Sequence, residues 1–386
     1  MRGDNDTHMS MDKKIQMVDL HGQYLKIKPE VDRGIKEVID NCAFINGPHV
    51  KEFAKELAQY TGAKHVITCG NGTDALQIAL MDLDLKPGDE VIVPAFTYVA
   101  SAEVIGLLGL TPVMVDVDPA TFNVTAENIE KAISPRTKAI IPVHLFGQSC
   151  DMEPIMKLAD KYGLYVIEDN AQAIGAVYTF SDGTKKQTGT IGHIGCTSFF
   201  PSKNLGCYGD GGAIFTNDDE LADSLHMIAN HGQQVKYHHK VIGCNSRLDT
   251  IQAAVLRAKL PHLTEYCEAR RAAADYYDKA LSGIEGIKIP TRQPNSTHVF
   301  HQYTLQVANG RRDELKEYLN AHDIPAMIYY PLPLQEQEAF RSITRKGEEL
   351  NHSSDLAKSV LSIPMHTELT PEIQDVVIGA IKDFFK

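Results

Sequence analysis

Three short segments carry residue types suited to chemistry. The first is Ser198-Phe199-Phe200-Pro201-Ser202-Lys203-Asn204-Leu205, followed by glycines at 206, 209, 211 and 212. Lysines prefer solvated helix faces. An aromatic, glycine-rich setting disfavours the ammonium form and leaves a nucleophilic amine suited to Schiff-base formation. Taken alone, the segment also reads as a surface loop. The second is Glu168-Asp169, which closes an apolar run. Ligands of open α/β sheets bind beyond the carboxyl ends of strands, so an acid there is placed for chemistry. It would equally cap the segment that follows. The third is Cys69-Gly70-Asn71-Gly72-Thr73-Asp74. Glycines let backbone amides approach a phosphate, and a helix N-terminus favours negative charge. A tight turn capped by Thr73 or Asp74 has the same look. The segment is neither a Walker loop nor GxGxxG.

Alternating strands and helices must position these segments. His65–Cys69, Glu90–Pro94, Pro112–Val117, Ala139–Val143 and Leu164–Asp169 read as strands, and Ala100–Leu108 and Ala126–Ile133 as helices between them. Val/Ile runs without polar alternation are strands covered on both faces, the parallel α/β arrangement. One large sheet domain is expected from this pattern over residues 65–220. A helical tract follows over Thr250–Leu281, interrupted near Pro261. Then the spacing changes: His301–Val307 alternates like a strand, while Asp313–His322 and Glu372–Phe385 are helical. The expected organisation is an N-terminal tail over residues 1–17, a large domain over 18–262 and a smaller α+β domain over 263–386. His8-Met9-Ser10-Met11 reads as an appended junction, so the first ten or so residues are set outside the fold.

On such a sheet the three segments are the parts that pyridoxal 5′-phosphate requires. Lys203 offers the amine, Asp169 stays ionised beside the pyridine nitrogen and keeps it protonated, and the Gly70–Thr73 turn cups the phosphate. Composition excludes other classes. The net charge of −12 argues against a nucleic-acid or anionic-membrane binder. No apolar run approaches the length of a bilayer span, and residues 1–17 lack the apolar core of a secretory signal. Seven cysteines, none in CxxC spacing, point to free thiols in a reducing cytoplasm. Among 16 histidines, His298 and His301 are three apart and His238 and His239 adjacent, but no HExxH pattern occurs and no metal is expected.

From about Val18 to Phe385 the chain resembles the DegT/DnrJ/EryC1/StrS sugar aminotransferases, of the aspartate-aminotransferase fold. The motifs are Gly70-Asn71-Gly72-Thr73-Asp74-Ala75-Leu76, Pro94-Ala95-Phe96-Thr97, His144-Leu145-Phe146-Gly147-Gln148, Glu168-Asp169-Asn170-Ala171-Gln172, Ser198 through Lys203, and Gly243-Cys244-Asn245-Ser246-Arg247-Leu248-Asp249. The resemblance implies a mixed, mostly parallel seven-stranded sheet flanked by helices, plus a smaller C-terminal α+β domain. It implies Lys203 as the Schiff-base lysine and proton shuttle, and Asp169 as the pyridine-nitrogen partner. Gln172 falls near the ring hydroxyl, Phe96 on the ring face, and Gly72, Thr73 and Ser198 at the phosphate. Asn245 matches a residue reaching the phosphate from a neighbouring subunit, which implies a homodimer with shared sites. Tyr329-Tyr330-Pro331 matches a substrate-side motif, and His231 is a further substrate-side candidate or a turn residue.

Phe199–Lys203, Gly206–Gly212, His231-Gly232-Gln233, Tyr237-His238-His239 and Asn245-Ser246-Arg247 look most like one subgroup. Its members aminate UDP-2-acetamido-2-deoxy-3-oxo-glucuronate, on the way to bacterial surface polysaccharide. Arg247 would then read the uronate carboxylate, since a guanidinium fork fits it bidentately. Tyr329 and Asn170 depart from the subgroup pattern, which has His and Ala there, so a dTDP-linked 3-keto-6-deoxyhexose or a 4-keto sugar is the alternative. Glutamate is the implied donor, with pyridoxamine 5′-phosphate as the intermediate cofactor form. Lys28, Lys185, Lys186 and Arg247 are candidates for the nucleotide pyrophosphate. Two rivals stand beside this reading. One is a non-catalytic regulator that keeps the fold. The other is an α-amino-acid aminotransferase, which needs an arginine from the set Arg292, Arg311, Arg312, Arg341 and Arg345.

Overall fold

The computed structural model describes residues 14–345 and 349–386, so the appended-junction reading falls outside the described residues. The central sheet has seven strands in the order β1-β9-β8-β5-β4-β2-β3. They are β1 (His65–Cys69), β2 (Glu90–Pro94), β3 (Thr111–Val115), β4 (Thr137–Ile140), β5 (Tyr165–Asp169), β8 (Ile194–Ser198) and β9 (Gly212–Thr216). A hairpin of β6 (Val177–Thr179) and β7 (Lys185–Gln187) projects between β5 and β8 in the chain. Only β9 runs against the rest, pairing antiparallel with both β1 and β8. The other six strands therefore end on one edge, and the three chemical segments follow β1, β5 and β8 there. Every residue of β2 and β9 is buried, which is what apolar runs without alternation require.

Helices cover both faces. The helix Gly72–Asp82 buries Ala75, Leu76, Ile78, Ala79 and Leu80, and its N-cap is Asn71, whose Oδ1 accepts the Asp74 N–H at 2.7 Å. The cap is thus Asn71, ahead of both Thr73 and Asp74. Asp74 is occupied elsewhere, its carboxylate accepting the Ser246 hydroxyl at 2.6 Å. Pro261 sits in a 3₁₀ turn, Leu260–His262, that separates the helices Thr250–Lys259 and Leu263–Leu281. Proline removes a helical donor and breaks the ladder at that point.

A second core follows. An antiparallel sheet joins β12 (Ile287–Lys288), β13 (Tyr303–Val307) and β14 (Val360–Ile363). Tyr277, Leu305, Leu315, Leu361, Val377 and Ile381 pack around it with helices Arg312–Ala321 and Pro371–Phe384. Ile15 packs against this core, and the Met17 carbonyl accepts the Met365 N–H at 3.2 Å. Arg270, 2% exposed, braces this second core, its Nη1 donating to the carbonyls of Phe300, His301 and Met365 at 3.0, 3.3 and 3.1 Å. A last hairpin, β10 (Gln233–Val235) with β11 (His238–His239), stands out from the body with Tyr237 78% and Ile242 88% exposed.

Candidate active site

The strand ends converge on Lys203 and Asp169. Asp169, the last residue of β5, is buried. Its Oδ2 accepts the Ser101 hydroxyl at 2.7 Å and its Oδ1 the Ala171 N–H at 3.1 Å. Two donors orient the carboxylate and leave lone pairs for a third. Lys203 is partly open as a residue, but its amine is enclosed. Desolvation lowers its pKa to about 8, against the opposing pull of the Asp169 charge. A far larger neutral, nucleophilic fraction of the amine is therefore available near neutral pH than for a free lysine. Both predicted catalytic residues are brought together.

Gln172 links two further parts of the site. Its Oε1 accepts the Phe146 N–H at 2.7 Å, and its Nε2 donates to Tyr330 Oη at 3.1 Å. Phe96, 1% exposed, packs edge-on against Tyr330 and beside Phe122, with ring centroids 6.2 and 6.3 Å away. Tyr330 also packs beside Tyr98 and Tyr329, at 6.0 and 5.9 Å. Burial raises the Tyr330 phenol, so it stays protonated as a donor or acceptor. The segment after Lys203 is pinned to the strand-bound stretch ahead of β13, because Asn204 Nδ2 donates to the Val299 carbonyl at 2.9 Å. His301, two residues on, is buried. Its burial and the charges of Lys203 and Arg270 hold its imidazole well below the usual range.

The turn after β1 is shaped by close backbone approach. A Cβ on Gly72 would stand 2.7 Å from Ser198 Cβ, and one on Gly212 would stand 2.5 Å from the Asn71 carbonyl. Only glycine fits where strand and helix start crowd this closely. Gly72 and Thr73 open the helix Gly72–Asp82, and Ser198 packs against Gly72, so the three meet at a helix N-terminus, where an anion is favoured. The Gly70 N–H is tied off, donating to Ser246 Oγ at 2.9 Å.

Other predicted residues are not brought to Lys203 within one chain. Asn245 is exposed and bridges Asn230. Arg247 lines a cavity of about 280 Å³ with Asn46, Lys51, His226 and Asn230, and neither Lys203 nor Asp169 lines that cavity. His231 is exposed with φ +59°, a turn residue at the base of the β10–β11 hairpin whose carbonyl lies 2.9 Å from His239 Nδ1. Lys28 is paired with Asp32, and Lys185 and Lys186 lie on the exposed β7. Of the arginines required by the amino-acid aminotransferase rival, Arg292 pairs with Asp275 and Asp278, and Arg311 with Glu314. Arg312 pairs with Asp313 and Arg345 with Glu90, so four of the five are spoken for. Sequence reading missed Ser101 and the Phe146 N–H. A serine within an alanine-rich helix start carries no spacing signal, and a backbone donor carries none at all.

This arrangement defines a fold-type I transferase site, and comparison with known proteins gives the family. The chain belongs to the DegT/DnrJ/EryC1/StrS aminotransferase family, whose model matches residues 25–382. It is 46% identical over 95% of its length to the UDP-2-acetamido-2-deoxy-3-oxo-D-glucuronate aminotransferase of Pseudomonas aeruginosa, covering 99% of that protein. It is 47% identical over 96% of its length to the "pleiotropic regulatory protein" of Geobacillus stearothermophilus, covering 99% of that protein. Its fold superposes with a TM-score of 0.92 on the crystal structure of a DegT DnrJ EryC1 StrS aminotransferase from Brucella abortus, at 44% identity, covering 96% of this chain and 99% of that one. The chain is a transaminase, and its cofactor is pyridoxal 5′-phosphate. The residues present fit that cofactor: an enclosed amine with lowered pKa, a buried carboxylate with lone pairs to spare, and a glycine cradle that a Cβ would fill.

Proposed function

We propose that this chain transfers the amino group of glutamate to the 3-keto carbon of a UDP-2-acetamido-2-deoxy-3-oxo-glucuronate-type substrate. The products are 2-oxoglutarate and the 3-amino sugar, a building block of bacterial surface polysaccharide such as O-antigen. The observation that carries this reading is the enclosed Lys203 amine beside the buried Asp169 carboxyl, on a chain so similar to the Pseudomonas enzyme. Bound pyridoxal 5′-phosphate supplies an electron-withdrawing ring and carries the amino group from donor to acceptor. Asp169, oriented by Ser101 and the Ala171 N–H, holds the proton on the pyridine nitrogen. Lys203 takes a proton from the donor carbon and returns it, its pKa near the working pH as general catalysis requires. Gln172 meets the ring hydroxyl, Phe96 the ring face, and Gly72, Thr73 and Ser198 the phosphate.

Asn245 and Arg247 serve the site of a second copy, which makes the working unit a homodimer. The absence of Lys203 and Asp169 from the cavity that Arg247 lines, and the exposed Tyr237 and Ile242 on the segment that precedes it, support this. Arg247 reads the uronate carboxylate there, with Tyr329, Tyr330 and His231 on the substrate side. A division of the chain at residues 262/263 is supported by the separate core around Leu305 and Leu361. A reducing cytoplasm suits the seven unpaired thiols. The name of the Geobacillus relative favours a regulatory role as the second reading. Initial velocities against glutamate and the 3-keto sugar nucleotide separate the two. Parallel lines, the sign of two half-reactions, are expected. Intersecting lines, or cofactor binding with no conversion of any donor, contradict the proposal.

A further inference from the structure

Glu168 precedes Asp169 but has no part in the chemistry above. It is fully buried, and so is His144. The Glu168 carboxylate accepts the N–H groups of Gly189, Ile191 and Gly192 at 2.8, 2.7 and 2.6 Å, and it lies 2.9 Å from His144 Nε2. The other ring nitrogen, Nδ1, accepts the Cys150 N–H at 3.0 Å. That bond leaves the ring proton on Nε2, where it is donated to Glu168. A carboxylate stripped of water is tolerated only when its lone pairs find donors, and four are supplied here. Side chains alternate across a strand, so Glu168 points away from the face to which Asp169 is turned.

His144 ties the stretch from Val143 to Cys150 to Glu168 and, through Nδ1, closes that stretch on the Cys150 N–H. That stretch delivers two donors to the site. The His144 N–H donates to the Asp169 carbonyl at 3.1 Å, while the Asp169 N–H donates to the Pro142 carbonyl at 2.9 Å. Two residues on, the Phe146 N–H donates to Gln172 Oε1. Both residues read as ring contacts thus take a bond from a segment that His144 anchors to Glu168, with Asn123 bonding Leu145 and Gln148 beside it.

We propose that the buried Glu168–His144 pair is a positioning unit for the pyridine end of the cofactor, fixing the orientation of Asp169 and Gln172 from behind. This rests on the reading of those two residues as ring contacts. A unit with only a scaffolding role would affect stability alone.

The test uses full-length protein carrying His144→Leu, His144→Gln or Glu168→Gln, with Asp169→Asn as the reference. Two quantities are read at a temperature where each variant is folded: the dissociation constant for pyridoxal 5′-phosphate, and the visible circular dichroism of the bound cofactor. Breaking one partner of a buried hydrogen bond is expected to weaken binding about tenfold in His144→Leu and Glu168→Gln, with reduced dichroism. His144→Gln keeps an N–H toward Glu168 and is expected to recover most of both. Wild-type affinity and dichroism in Glu168→Gln, with both altered in Asp169→Asn, overturns the proposal and leaves the ring-end reading standing. If Asp169→Asn also changes neither, the ring-end reading itself falls. Should the two harsher variants fail to fold, His144→Gln decides: a lowered Tm with unchanged affinity and dichroism overturns the proposal, and a loss of either supports it.

Discussion

At the proposed ring end of the site, the side chains of Asp169 and Gln172 each make two hydrogen bonds to groups of the same chain. At the proposed phosphate and substrate end, Gly72 is held by close approach to Ser198, and among the described residues no side-chain hydrogen bond fixes Thr73, Asn245 or Arg247. The contrast follows from what each end must do. A charge that acts on the pyridine nitrogen has to be pre-oriented, because an electrostatic effect in an enclosed site depends on geometry set before the reaction. A surface that admits a large nucleotide-sugar and a second copy of the chain has to stay open. One chain therefore completes the first end, and the proposed dimer completes the second.

The comparison breaks first if Asp169 does not matter. Asp169→Asn keeps the shape of the ring end but removes its charge, and turnover is expected to fall by about 10²–10³-fold. Steady-state rates near wild type would remove Asp169 from the ring end. Gly72→Ala probes the other end. The new Cβ would lie 2.7 Å from Ser198 Cβ, and neighbours must move apart. Cofactor affinity is expected to weaken about tenfold, while the visible spectrum of the cofactor that still binds keeps its shape. A changed spectrum with unchanged affinity would mean that the two ends are not separable.

The smallest effect concerns a second enclosed amine. Lys259 is 1% exposed, has no carboxylate partner among the described residues, and rests 4.5 Å from the centre of the Tyr208 ring. Burial lowers its pKa to about 8, as it does for Lys203. Both values lie below that of a free lysine, so between about pH 8 and 10.5 the unfolded chain binds more protons than the folded one. Stability of the cofactor-free protein should then rise with pH, by up to about 1.4 kcal/mol per pH unit for each amine. Lys259→Met should flatten part of that slope and leave the part due to Lys203. Denaturant melts across this window would show it. A flat profile in the variant would mean that Lys203 is not enclosed as the ring end requires.

The sheet was legible because its strands are apolar on both faces, and the glycine turn, the acid and the lysine stand at strand ends in chain order. The cap was misplaced because Asn71, Thr73 and Asp74 are all capping residues, and only tertiary contact draws Asp74 away to Ser246. Ser101 was illegible because its partner is 68 residues away. The fate of the arginines was likewise hidden, since pairing Arg345 with Glu90 takes a contact across most of the chain. Spacing shows period and turn chemistry, and it does not show which distant donors converge.

The central claim is that Lys203 and glutamate together drive the first half of the reaction. The most direct measurement is the visible absorption of the purified protein with pyridoxal 5′-phosphate, before and after glutamate is added. A band that forms with wild type, is bleached by glutamate and is absent in Lys203→Ala is the predicted result. A band that survives glutamate, or that persists without Lys203, would contradict the account.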